Sequence, residues 1–373
     1  MKFFTFFLSA LLTFSAASYA ASNQQFPNIS GQTLFQLKSD RIISTNEKGI
    51  PANNSFSNIE SNFSLNLNKN WSTKTLWKLS PSSVYTTRDP INPERTRTFL
   101  SSNRTVNPVE TSLIIEELKA QYEDEDMKVF FGKFDPSFGV AYKNNNRIGV
   151  FSADVTKDYE LREKIGGGIT ALLEDAEISF NTFFNDTTGL SGSINGRKNE
   201  NRNSGLAGNT GTLSSYTVSM QGQKLFGYEN WFYNLGYRSL GVNQGDSTTQ
   251  RARETGYVLG SQYQHKIGFA TSVIPFFEMS KINDFTGEKG RNATYATFAL
   301  IGKYSGWSAS ISEIIRRINQ AQRGYNIRDH QTQISLGYKF KNNLSIDVSR
   351  AEMKESNHSA VLFGVIVGYV YNY

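Results

Sequence analysis

The chain has 373 residues, 38% hydrophobic, 13% aromatic and 19% charged, with a formal charge of +6, three histidines and no cysteine. Lack of cysteine excludes disulfides, thiolate metal sites and a cysteine nucleophile, and His265, His330 and His358 are too scattered to suggest a histidine metal site. The charged fraction is below the usual ~25%, and Asn, Ser, Thr, Gly, Tyr and Phe make up the difference, as suits strands with one wet face.

The N-terminus comes first. Lys2, an apolar run from Phe3 to Phe14 and the small residues Ser18 and Ala20 describe a secretory signal peptide over 1–20, too short in its apolar part to span a bilayer as a helix. Its removal leaves 38 basic and 33 acidic residues, a net of +5 over 21–373. Beyond it, alternation with a period of two recurs along the chain. Phe63, Leu65 and Leu67 alternate with Asn62, Ser64 and Asn66. Ile178, Phe180 and Phe184 alternate with Glu177, Ser179, Asn181 and Asn185. Thr332 to Phe340 alternates with Gln331 to Lys339, and Leu344, Ile346 and Val348 with Ser345, Asp347 and Ser349. Each segment presents one apolar and one hydrated face.

Connections alternate too. Tight turns are expected at 68–70, 124–126, 174–175, 227–229, 266–268, 305–306 and 342–343, with long polar stretches at 42–55, 81–110, 135–157, 186–212, 243–254, 281–291, 317–330 and 351–358. Seven short turns and eight long loops join about sixteen strands. A soluble sandwich has no reason to segregate short from long connections. A transmembrane β-barrel does, with short periplasmic turns and long extracellular loops, and only a closed barrel satisfies every strand hydrogen bond in lipid. The expected fold is all-β, an antiparallel outer-membrane barrel. Strands are expected at 111–123 and 307–316, although 108–124 and 313–323 also carry apolar residues at helical spacing. Gly166-Gly167-Gly168, followed by no P-loop lysine, is expected to be a strand segment where something packs closely.

Trp71, Trp77, Trp231, Tyr233, Tyr237, Trp307, Tyr369 and Tyr371 suit the aromatic girdle of a spanning barrel. On the last strand Phe363, Val365, Val367, Tyr369, Tyr371 and Tyr373 share one face, and the chain ends there. This resembles the terminal signal that Gram-negative outer-membrane proteins offer to the barrel-assembly machinery, matched by Gly368, Tyr371 and Tyr373, with Ile366 departing from it. The segment from Phe131 to Tyr142, with Asp158-Tyr159-Glu160-Leu161 downstream, resembles the third-loop region of Gram-negative porins, particularly the alphaproteobacterial type, with some likeness to phosphate-selective porins. That resemblance covers roughly 129–170. It implies a trimeric diffusion channel whose third loop, 135–157, folds inward as a constriction.

Alternation nominates the lumen charges. Trp71, Trp77 and Leu79 outward turn Lys74 and Lys78 inward; Tyr233, Leu235 and Tyr237 outward turn Arg238 inward; Lys339 and Asp347 fall on polar faces. The resemblance places Lys133 inward and Arg147 in the constriction loop. No cofactor or metal is implied, no nucleophile–histidine arrangement suggests an enzyme, and an exported chain makes nucleic acid an unsuitable partner. The expected partners are outer-membrane lipid, the assembly machinery, and small solutes and ions. The expected function is a weakly anion-preferring porin; the alternatives are a phosphate- or anion-selective porin and a surface adhesin or receptor.

Overall fold

The computed structural model describes residues 25–46, 53–81, 111–141, 149–151, 153–192, 205–243, 250–320, 324–356 and 358–373. The expected signal peptide and Arg147 lie outside them. The strands run β1 (Asn28–Thr45), β2 (Asn53–Asn66), β3 (Trp71–Pro81), β4 (Thr111–Glu123), β5 (Met127–Phe134), β6 (Lys164–Leu172), β7 (Ala176–Asn185) and β8 (Ser215–Leu225). They continue as β9 (Tyr228–Leu240), β10 (Glu254–Tyr263), β11 (Thr271–Asn283), β12 (Arg291–Tyr304), β13 (Trp307–Gln320), β14 (Tyr325–Lys339), β15 (Leu344–Glu355) and β16 (His358–Asn372). His265–Lys266 prolongs β10 against β11.

Each strand pairs antiparallel with its sequence neighbours, and β16 returns to β1 from Gln32↔Asn372 to Thr45↔Ala360. Gly31 and Tyr373 exchange backbone hydrogen bonds of 2.9 and 3.1 Å at the seam. The sixteen strands therefore form a closed barrel without edges. Strands stand at 111–123 and 307–320, so the helical spacing there is incidental to ladder pairing.

The tight turns occur at one end, where side chains replace water as turn partners. Asn68 Oδ1 accepts from the Asn70 and Trp71 amides, both at 2.9 Å. Asp124 Oδ1 accepts from Asp126 and Met127 at 3.0 and 2.9 Å, and these amides, Met127 foremost, hold the Asp124 carboxyl below the ordinary carboxylate range. At the other end the expected long loops at 317–330 and 351–358 are short hairpins. The β13–β14 ladder continues through Arg317↔Arg328 to Gln320↔Tyr325, and β15 pairs with β16 through Glu355↔His358. The strands there keep rising with polar side chains, which alternation alone counts as loop.

The polarity of the faces is inverted relative to a soluble protein. Exposed residues on the outside include Phe131 (62%), Leu300, Ile311, Ile334 and Phe363, whereas Gln331, Gln333 and Ser349 on the inner faces are buried. At the short-turn edge, rings meet at Trp71–Tyr122 (5.3 Å), Trp231–Tyr263 (5.7 Å), Trp307–Tyr338 (4.8 Å) and Tyr371–Tyr373 (5.9 Å). Tyr237 belongs to a second cluster near the opposite edge, 6.0 Å from Tyr216 and 5.0 Å from Tyr257. Two aromatic belts bracket an apolar band.

The described residues of segment 135–163, between β5 and β6, pack against inward-facing side chains. Phe138, Val155, Tyr159 and Leu161 meet Val258, Ile282, Tyr295 and Ile314. Val150 and Phe151 meet Ile42, Met353 and Leu362, while Val140 and Ala141 meet Ile274, Phe276 and Ile301. The inner wall is thus polar except at three apolar seats, where the segment rests. Gly168 explains part of the glycine run: an added Cβ would stand 2.6 Å from the Phe130 ring.

Candidate functional site

Hydrogen bonds fix the segment more narrowly than apolar contact. Glu278 on β11 is 1% exposed. Its Oε2 accepts from the Val140 amide at 2.6 Å, and its Oε1 accepts from the Ala141 amide at 3.2 Å and the Tyr159 hydroxyl at 2.6 Å. Gly139 lets the backbone approach: its φ is +79°, and a Cβ would lie 2.9 Å from Glu278 Oε1.

Arg238 on β9 donates to the Tyr159 carbonyl at 2.7 Å, pairs with Glu254 at 2.6 Å and lies 4.6 Å above the Phe138 ring. Arg316 on β13 gathers Asp158 of the segment at 2.5 Å with Asp329 and Glu355 of the wall at 2.6 and 2.7 Å. Further round, Gln333 accepts from the Phe151 amide at 2.8 Å, Ser349 from Val150 at 3.0 Å, and Lys38 donates to the Val150 carbonyl at 3.4 Å. On the return, Arg162 pairs with Glu116 at 2.6 Å. There the Glu163 amide donates to Asp135 at 2.7 Å, but burial dominates and pushes the Asp135 carboxyl up to about 7.

Apart from Glu116 on β4, these anchors lie on β9, β11, β13, β14, β15 and β1. The inner faces of β2 to β5 and β7 instead carry a run of partly exposed charges: Lys78 lies 4.0 Å from Glu60, Lys74 3.8 Å from Glu123, and Lys119 2.8 Å from Glu117. Lys128 lies 3.5 Å from Glu123 and 3.3 Å from Glu177. Four lysines face four glutamates. At such separations, with water present, each pair contributes little to stability but leaves a strong local field.

Lys74 and Lys78 therefore sit on the inner wall in the positions alternation assigned. Arg238 also points inward, but it is pinned beneath the segment rather than open to water. Lys339 is exposed at the end of β14, on the face of Gln331 and Gln333, and Asp347 stands opposite Gly337. Lys133 departs from its expected inward placement. It shares the outward strand face of Val129 and Phe131, where it is buried at 3.1 Å from Glu163 and 2.9 Å from Asp186. Its strand is apolar on both faces, so alternation could not orient it. The four glutamates were not nominated from sequence, although the same alternation places Glu60 with Asn62 and Glu177 with Asn181. Glu278 and Arg316 carried no local signal, because their partners are distant in the chain.

The terminal residues all belong to the seam. Gly368 sits opposite Gln36 and Ser345, and the Tyr373 hydroxyl lies 3.1 Å from Ser61 Oγ.

No family model matches the chain, and no curated protein sequence does. Solved structures do match its fold. Pseudomonas putida OprB shares 12% identity, with 92% of this chain and 94% of that chain covered and a TM-score of 0.63. The outer membrane channel DcaP of Acinetobacter baumannii shares 11% identity over 92% and 96%, with a TM-score of 0.55. A loop-deletion variant of OmpT, an outer membrane protein of Vibrio cholerae, shares 11% over 92% and 98%, with a TM-score of 0.52. At these identities the likeness is one of architecture, a sixteen-stranded antiparallel barrel of the porin type.

Proposed function

We propose that this chain is an outer-membrane porin, a water-filled channel through which small hydrophilic solutes and ions diffuse passively. The observation that carries this is the anchoring of 135–163 along one side of the lumen, opposite a wall of hydrated lysine–glutamate pairs. In this reading the segment is the constriction, and the free wall lines the path. A field between opposed charges orients dipolar solutes and lowers the cost of stripping water from ions. The near balance of lysine and glutamate makes selectivity weak, and the net positive charge of the exported chain tilts it toward anions. The porin resemblance adds a homotrimer, and residues 1–20 supply the export signal.

An enzyme on a barrel scaffold needs a nucleophile beside a base, or a carboxylate pair, at one rim; His265 lies at the short-turn edge and His330 and His358 at the other, each on a different strand. The deciding experiment is conductance. Purified protein in planar bilayers is expected to give discrete channel steps, and the same protein to fractionate with the outer membrane and migrate differently on gels after heating. Recovery as a soluble periplasmic protein, or silent bilayers, would overturn the proposal.

Assembly provides a second test. Tyr373→Ala removes the final aromatic and its contact with Ser61, but leaves the export signal untouched. The expected result is normal export with reduced barrel in the membrane. Undiminished outer-membrane abundance would show that this terminus is not what the assembly machinery reads.

A further inference from the structure

The outward faces of β11 to β15 end, on the long-loop side, in exposed cations. Lys281, Arg317, Arg328 and Lys354 stand on the same strand faces as the apolar residues Met279, Ile311, Ile334 and Val348. The ladder sets Arg317 directly opposite Arg328, joins Arg317 to Lys281 through Thr294, and sets His330 opposite Lys354. Like charges directly opposite across two strands destabilise the pair. Among the described residues, no carboxylate lies within 4.0 Å of any of the four cations. The acids lower on these faces are already engaged, Glu313 with the Thr332 hydroxyl and Glu352 with Arg350 at 2.6 Å.

Height along the barrel points the same way. Arg317 stands ten residues along β13 from Trp307, the girdle residue at the short-turn edge. A strand tilted by ~40° climbs roughly 2.6 Å per residue, so the separation is about 25 Å, the height of the apolar band of a spanning barrel. The cations therefore emerge at headgroup depth. A row of positive charge there, without a carboxylate within 4.0 Å among the described residues and with two arginines directly opposite across the ladder, has the chemistry to grip a phosphate, since guanidinium donors match phosphate oxygens in pairs.

We propose that this row binds the phosphate groups of outer-leaflet lipids, the phosphate lying between Arg317 and Arg328 and flanked by Lys281 and Lys354. The site rests on the barrel being embedded in a membrane but not on its being an open channel. The test uses the full chain reconstituted in phosphatidylcholine vesicles, with trace spin-labelled phosphatidylglycerol or phosphatidylcholine reporting lipid held at the protein surface. A basic residue beside an anionic surface is worth about fivefold in association. The intact protein is expected to prefer phosphatidylglycerol by at least about that factor. The preference should disappear in Arg317→Gln with Arg328→Gln, and persist in Lys341→Gln at the opposite edge.

Equal restriction of both lipids by the intact protein, or an undiminished preference in the double variant, would overturn the site. If the double variant does not fold, as judged by loss of the heat-modifiable form, the intact protein still decides. A preference that survives ~1 M salt, where the Debye length is about 3 Å, would exclude an electrostatic phosphate site. Restriction of neither lipid would overturn the membrane reading along with it, whereas lipid preference with silent bilayers would leave the site standing and remove only the channel.

Discussion

Under the proposed porin function, replacing Glu278 with alanine will widen the channel. One carboxylate holds two amides and a hydroxyl of segment 135–163, and each hydrogen bond to a charged acceptor is worth about 1.5–3 kcal/mol. Their joint loss offsets the docking of Phe138 and Tyr159 on the wall by about 3 kcal/mol or more, a shift of over a hundredfold in the docked population. Single-channel conductance should rise, and liposome swelling should admit larger sugars. Glu278→Gln keeps an acceptor oxygen but no charge, and should fall between. Arg316 is a poorer place to test the idea. Its removal would leave Asp158, Asp329 and Glu355 as buried neighbours without their cation, at a cost of about 3–5 kcal/mol that would blur loop release with barrel failure. Unchanged conductance and size limit in both Glu278 variants would show that the segment does not set the bore.

Much of this architecture is written locally. Gln331, Gln333 and Ser335 alternate with Ile334, Leu336 and Tyr338 because one face meets an apolar surround and the other meets water, so strand identity and orientation follow from neighbouring residues alone. Alternation fails where a third body intervenes. Ala293, Tyr295, Ala299 and Ile301 face inward yet are apolar, because segment 135–163 rests on them or beside them. The loss of alternation across 291–304 is itself the mark of a docking seat, but a single chain offers no way to tell a seat from an ordinary buried strand. Glu278 sits among Phe277 and Met279 with nothing nearby to announce its role, since its partners are more than a hundred residues away. Lys133 needed a neighbour of the same kind: Asp186 and Glu163 come from other connections and bury a lysine on a face where alternation expects none. The short connections from Gln320 to Tyr325 and from Glu355 to His358 are hidden for a different reason. The strands outgrow the apolar band, and their upper residues, such as Asp329 and Glu355, are polar because they serve Arg316 rather than because they are loop.

Under the same proposed function, Lys74→Glu combined with Lys78→Glu will turn the channel toward cations. Both lysines lie on the inner face of β3 among the partly exposed charges, and each faces a glutamate at 3.8 or 4.0 Å. Reversal changes the local charge by four units and sets the two introduced carboxylates beside Glu123 and Glu60. Fixed negative charge in a narrow, low-dielectric-walled passage concentrates cations and repels anions. The reversal potential across a salt gradient should move toward the cation limit, and the shift should shrink as salt rises and the Debye length falls to about 3 Å at 1 M. Barrel stability should change little, since exposed pairs of this length are worth about 0–1 kcal/mol each. Lys341→Glu at the short-turn edge is the control: it changes the net charge by two units without entering the lumen wall, and should leave selectivity nearly where it was. The neutral pair Lys74→Gln with Lys78→Gln separates field from shape, and should move the reversal potential about half as far in the same direction, as halving the charge change requires. Equal shifts from Lys74→Gln with Lys78→Gln and from Lys341→Glu, which change the net charge by the same two units, would mean that net charge, not this wall, governs which ions pass.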